Sequence, residues 1–109
     1  MLQKLPIFLG SEVYRGSSYG DWHPLRVPRV STVTDLARAL GWLPDSQFRT
    51  SPRAKPEVLT QWHTPEYIAA LLKAEADQTI NSTIKQRHGL GTPSNPFYPE
   101  MFRRPATAA

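Results

Sequence analysis

The sequence contains no cysteine. That excludes a disulfide framework and a thiolate metal site. It also has no apolar run near the ~18 residues that a membrane-spanning helix requires. The stretch from Leu2 to Leu9 is apolar, but Pro6 interrupts it and no small-residue cleavage pattern follows, so it does not read as a secretory signal. A cytoplasmic chain with no membrane partner is expected. Lys and Arg total 13 against 9 Asp and Glu, for a net charge of +4, yet these charges are dispersed and form no block. Scattered basicity of this kind reads as a solvated surface, so no nucleic-acid partner is expected.

The familiar catalytic signatures are missing too. There is no Gly-x-Ser-x-Gly, no phosphate loop and no Gly-x-Gly-x-x-Gly; Gly89-Leu90-Gly91 is too short to count as a dinucleotide signature. His23, His63 and His88 show no ligand spacing with one another or with carboxylates. His63, before a helix start, reads as a packed or capping histidine, and His88 as a helix-end residue suited to the local dipole. The carboxylates fall in unrelated elements and offer no acid–base pair. Neither a catalytic residue nor a metal ligand is expected within the chain.

What the sequence does have is proline, 11 in 109 residues, about twice average usage and spread as punctuation. Residues 6–14 read as a buried strand and its exit, because Ile7, Phe8 and Leu9 are continuously apolar. Residues 30–40 form the clearest amphipathic helix: Val30, Val33, Leu36, Ala37 and Leu40 make one stripe, and Gly41 stops it. Residues 45–56 read as a polar surface connection, and 57–62 as a helical turn or two. Thr64-Pro65-Glu66 is a strong helix start, with Thr as cap and Pro in the first position. The helix over 65–76 places Tyr67, Ile68, Leu71 and Leu72 on one face, with Lys73 and Glu75 outside it. A shorter polar helix over 81–88 turns Ile84 inward and ends at Gly89. A last helix is expected from Pro99, running through Pro105.

Two loops remain, 16–29 and 89–98. The first packs Tyr19, Trp22, His23, Pro24, Pro28 and Arg29 into a space too short for regular structure. The second holds two glycines and two prolines within eight residues, which implies a fixed irregular path. Arg29 stands out, because a cation at a helix start opposes the helix dipole. It is either exposed or aimed at an anion or at carbonyl groups. One buried strand among three or four helices is an incomplete layer, which suggests the N-terminal part of a larger α/β protein. The other readings are a small, mostly helical domain and a stand-alone basic module that binds a protein partner or nucleic acid.

Three motifs in order resemble the histone deacetylase superfamily, especially its bacterial acetoin-utilisation and deacetylase-like members. Tyr19-Gly-x-x-His23-Pro24-x-x-x-x-Arg29 is similar to the family's first active-site loop. Leu59-Thr-x-Trp62-His63-Thr64-x-x-Tyr67-Ile68 is similar to its short helix, histidine and Tyr-Ile helix. Gly89-Leu90-Gly91 with Ser94-Asn95-Pro96 is similar to its second loop. The resemblance implies the arginase/deacetylase type of three-layer α/β fold with a parallel central sheet. Residues 1–109 would be the N-terminal part of a single domain, ending before the zinc-binding half, and would be mostly helical with one or two strands.

The resemblance further implies a zinc-dependent amide hydrolase acting on acetyl-lysine or a small acetylated amine. The family's zinc ligands and catalytic tyrosine would lie downstream, so this segment alone would bind no catalytic zinc and be inactive. Its own contribution would be pocket or channel wall: Arg29 at the foot of the internal channel, Tyr19, His23 and Pro24 near the pocket, and Ser94 and Asn95 on the second loop. Ser94 falls where many members carry an aspartate that grips a peptide backbone. A hydroxyl does not accept charge-assisted hydrogen bonds as a carboxylate does, which leaves room for a small amine substrate.

Overall fold

The fold was read from a computed structural model that describes residues 4–108. Leu2, the start of the apolar stretch, and Ala109, in the expected last helix, lie outside the described residues. The elements run β1 (Phe8–Gly10), α1 (Val13–Gly16), α2 (Arg29–Ala39), a 3-10 turn (Asp45–Gln47), β2 (Phe48–Thr50), α3 (Pro56–Leu59), α4 (Pro65–Asp77), α5 (Ser82–His88) and α6 (Arg103–Ala108). The chain is thus mostly helical, with two parallel strands paired Phe8↔Phe48, Leu9↔Arg49 and Gly10↔Thr50.

Local chemistry accounts for several helix ends. Thr64 Oγ1 accepts from Tyr67 N–H at 3.3 Å and Pro65 opens α4. Asn81 Oδ1 accepts from Ile84 N–H at 2.8 Å and Gly89, at φ 69°, closes α5. After α2, Gly41 N–H donates to Arg38 O and Trp42 N–H to Ala37 O, with Gly41 at φ 74°. That is the paired closure which needs a left-handed residue.

The core is organised by α4. One buried cluster joins Ala70, Ala74, Ile84, Leu90 and Met101; a second joins Leu59, Ile68, Phe102 and Ala106; Tyr67 and Leu71 pack against both. Several expectations change here. Residues 48–50 form a strand, where a surface connection was expected, because β1 gives them a partner. The strand at 8–10 is buried only at Gly10: Phe8 and Leu9 are 41% and 67% exposed, since β2 flanks only one edge and α2 reaches only part of the sheet, with Arg38 over the Phe48 ring. The α2 stripe also faces outward, with Val33 and Leu36 65% and 56% exposed, while Ser31 is the buried residue of that helix. Leu72 turns out of the α4 face. The last helix starts at Arg103, not Pro99, after turns that bury Met101 and Phe102.

Glu75, expected outside the α4 face, is a tertiary anchor. One carboxylate oxygen accepts from Phe102 N–H at 2.8 Å and Arg103 N–H at 2.9 Å, the first free donors of α6. The other lies 2.9 Å from Arg103 Nε. Further along α6, Ala106 O accepts from Ala54 N–H at 2.9 Å and Thr107 O from Ser51 Oγ at 2.8 Å. The radius of gyration is 16.8 Å, against the ~13 Å of a typical self-contained domain of this length. The extents of 56 × 34 × 20 Å describe a slab with apolar surface left open.

Candidate functional site

The first loop leaves the carboxyl end of β1 through α1, the edge of a parallel sheet where ligands are usually bound. Arg15 on α1 fixes its start. Its guanidinium donates to both Asp35 carboxylate oxygens on α2 at 2.8 Å and to Glu12 at 2.6 Å. These bonds hold the Asp35 and Glu12 carboxyls below their ordinary values and push the arginine up.

The loop then makes two consecutive turns. His23 N–H donates to Gly20 O at 3.1 Å, and Arg26 N–H to His23 O at 3.1 Å. Pro24 takes the second position of the latter turn, where its fixed φ fits. His23 Nδ1 accepts from Leu25 N–H at 3.0 Å, which puts the neutral ring's proton on Nε2. Gly20, at φ 108°, holds a backbone conformation that other residues rarely adopt, and a Cβ there would also displace the exposed Trp22 indole, whose nitrogen would lie 2.8 Å away. Pro28 makes the last bend. At φ −77° and ψ 70° it lets Arg29 N–H donate to Val27 O at 2.8 Å, an inverse γ-turn that starts α2. The Pro28 carbonyl then accepts from Thr32 N–H, Thr32 Oγ1 and Ser31 Oγ.

The second loop is tied to itself. Gly91 N–H donates to Asn95 O at 2.8 Å, Asn95 N–H to Thr92 O at 3.0 Å, and Asn95 Nδ2 to Gly89 O at 3.3 Å. Ser94 Oγ lies 3.4 Å from Thr92 Oγ1.

The two loops meet through aromatic rings. Tyr19 stacks on His23 with centroids 4.5 Å apart and sets its edge against Tyr98 at 4.7 Å. Trp22 meets His23 edge-on at 5.3 Å. Burial, with the Tyr19 phenol beside it, pushes the Tyr98 hydroxyl up to about 12. The Arg104 guanidinium lies 5.0 Å from the Tyr19 centroid and 5.7 Å from that of Tyr14. Tyr19 and His23 are therefore brought together, half-buried, while Pro24 is exposed. Arg29 is exposed and lines a small cavity with Tyr14, Ser17 and Arg104. Ser94 and Asn95 are exposed and hydrogen-bond within their own loop.

Asn95 and Tyr98 face a larger apolar cleft, about 270 Å³, walled by α4 and by residues 101–106, with His63 and Tyr67 at its polar side. Tyr67 lies between His63 and His88, at 5.6 and 5.7 Å. Among the described residues no group of three or more His, Cys, Asp or Glu side chains could hold a metal ion. The described residues do not make a zinc site.

Tyr98 and Arg104 were not singled out by sequence. For Arg104 the signal, a cation in the first turn of a helix, appears only once that helix starts at Arg103 and not at Pro99. Tyr98 carries no such mark.

A parallel strand pair with helices beside it and two ring-bearing loops meeting near its end is one part of a layered α/β fold. No protein-family profile matches the chain. Its sequence is similar to the acetoin utilization protein AcuC of Bacillus subtilis, 28% identical over 95 residues, which is 87% of this chain and 24% of that protein. Its structure is similar to that of a histone deacetylase homologue crystallised with SAHA, with a TM-score of 0.90 and 28% identity over 96% of this chain. A histone deacetylase homologue from Aquifex aeolicus gives 0.89 at the same identity and coverage. The chain thus has the sequence and fold signature of one part of a histone deacetylase superfamily protein. It spans about a quarter of the length of these relatives.

Proposed function

We propose that this chain is the N-terminal part of a single deacetylase domain, and that the complete domain is a zinc-dependent hydrolase releasing acetate from acetyl-lysine or a small acetylated amine. The observation that carries the reading is the likeness to histone deacetylase homologues over 96% of the chain, in fold and in sequence together. The SAHA bound by one of them, an acetyl-lysine mimic, supports an acetylated ligand for this chain's whole domain. The exposed α2 stripe and the exposed Phe8 and Leu9 of β1 support further polypeptide packing against them. The same reading takes the protein as cytoplasmic and bacterial; among the described residues no helix is long and apolar enough to cross a membrane.

In this reading residues outside these 109 would hold a zinc ion, which would supply carbonyl polarisation and water activation. This chain's own residues build the wall. Tyr19 and His23 form a rigid aromatic face against Tyr98, which excludes water from one side of the pocket. Arg29 holds a fixed positive charge where acetate departs. Ser94 in place of a carboxylate favours small acetylated amines over peptides. A stand-alone basic module gains little support: Arg15, Lys73 and Arg103 are ion-paired, and Arg38 and Arg104 lie over aromatic rings.

The test is acetate release by the protein carrying this segment, compared between N-acetylated amines and acetyl-lysine peptides. Small amides are expected to be turned over faster, and Arg29→Gln to slow turnover with little change in KM. Release that is absent from both substrate classes would refute the enzyme; strong preference for peptides would refute the role given to Ser94.

A further inference from the structure

The first loop is shaped by its own residues but located by a distant helix. Its hydrogen bonds are local: Gly20 N–H donates to Ser18 Oγ, His23 N–H to Gly20 O, Leu25 N–H to His23 Nδ1 and Arg26 N–H to His23 O. Bonds of this kind fix the turns and leave the loop free to swing as one piece. Among the described residues, a single hydrogen bond joins residues 17–27 to a remote part of the chain. In it Arg104 Nη1 donates to the buried Ser17 hydroxyl at 3.4 Å.

Tyr19 is the point of contact. Its ring meets His23 of its own loop at 4.5 Å, Tyr98 of the second loop at 4.7 Å and the Arg104 guanidinium of α6 at 5.0 Å. The same guanidinium lies 5.7 Å from the Tyr14 ring on α1. Both distances are within the ~6 Å over which a cation is attracted to a ring. Arg104 has no acidic partner among the described residues, so no carboxylate draws it away from the rings. Its own base is firm. Glu75 accepts from the amides that open α6, and Ala106 O accepts from Ala54 N–H further along.

We infer that Arg104 is a positioning residue for the pocket wall: by clamping Tyr14 and Tyr19 to α6 it sets where the Tyr19–His23 face stands against Tyr98. It touches no substrate. The placement of the loop rests on these contacts alone, and the effect on turnover rests on the deacetylase reading. A wall encloses substrate alike in the ground and transition states, so displacing it raises KM and spares kcat, the reverse of the pattern given to Arg29.

The test is Arg104→Met in the intact protein, which keeps the aliphatic bulk and removes the charge and the donors. Its KM for a small N-acetylated alkylamine is expected to rise about five- to tenfold with kcat within about twofold of the parent. Arg104→Lys, which keeps the charge but not the planar group that stacks, is expected to raise KM about two- to threefold. In nuclear magnetic resonance spectra the His23 ring protons, shifted by the Tyr19 stack, are expected to move towards free-histidine positions in Arg104→Met. The Phe102 and Arg103 amides are expected to keep their protection from exchange, which separates a moved loop from a lost helix. Circular dichroism reports folding, and the Lys variant decides on the same His23 signals if the Met variant is unfolded. Parental His23 signals, a parental KM in an active enzyme, or loss of amide protection alongside any change would overturn the inference. The spectra need no turnover, so the two proposals fail separately. Shifted His23 signals in a protein that hydrolyses no acetyl amide would remove only the enzyme reading, and unchanged signals and KM in an active enzyme would remove only this one.

Discussion

Replacing Glu75 by alanine should detach α6 from α4. In the folded chain one Glu75 oxygen receives two backbone N–H groups, at 2.8 and 2.9 Å, and the side chain is 16% exposed. A hydrogen bond to a charged group contributes about 1.5–3 kcal/mol. The two donors share one oxygen, so their contributions do not simply add. The 2.9 Å approach of Arg103 Nε satisfies an ion-pair distance, but that N–H has no hydrogen-bond partner; with Arg103 39% exposed, we count it as a screened attraction of at most ~1 kcal/mol. Truncation also leaves the Phe102 and Arg103 amides unpaired at a helix start beside buried Phe102 and Ala106. The expected cost is about 2–4 kcal/mol, a large share of the roughly 5–15 kcal/mol that holds a small domain together. Urea unfolding should show the midpoint falling with little change in slope, and hydrogen exchange should show the Phe102 and Arg103 amides losing protection first. Glu75→Gln, which keeps the acceptor and loses the charge, should cost about half as much, and Arg103→Ala about 1 kcal/mol or less. A Glu75→Ala protein within about 0.5 kcal/mol of the parent, with both amides still protected, would refute the anchoring role.

Gly91→Ala should destabilise by about 1–2 kcal/mol, because φ is 78° and the new Cβ would lie 3.1 Å from the Ile80 side chain; thermal melting checks it. The Asp35 carboxyl, lowered by its hydrogen bonds to Arg15, makes a contribution that is present above its ordinary value of 3.8 and lost as pH falls through the lower folded value. Carboxyl carbon shifts should follow that titration, and Arg15→Gln should return it towards 3.8. Tyr98 behaves in the opposite sense. Its folded value, raised to about 12, gives stability that is present below 10 and lost as pH rises from there through 12. Absorbance titration should find one late phenol, absent in Tyr98→Phe.

The sequence by itself determined the parts whose cause is local. The Thr64-Pro65 start, the Asn81 cap and the Gly41 and Gly89 stops act within one turn of chain, and the structure has them. The order of the motifs also sufficed for the family resemblance that the sequence and structural comparisons met. Tertiary structure decided what depends on distant partners. Residues 48–50 became a strand only beside residues 8–10. The α2 stripe looked like core because periodicity tells which residues share a face, and not whether anything covers that face. Glu75 finds its donors 27 and 28 residues on, and Arg104 reaches Ser17 across 87. Contacts at such separations leave no periodic trace in the chain, so the meeting of Tyr19 with Tyr98, and of Arg29 with Arg104 around one cavity, became visible only in the folded molecule.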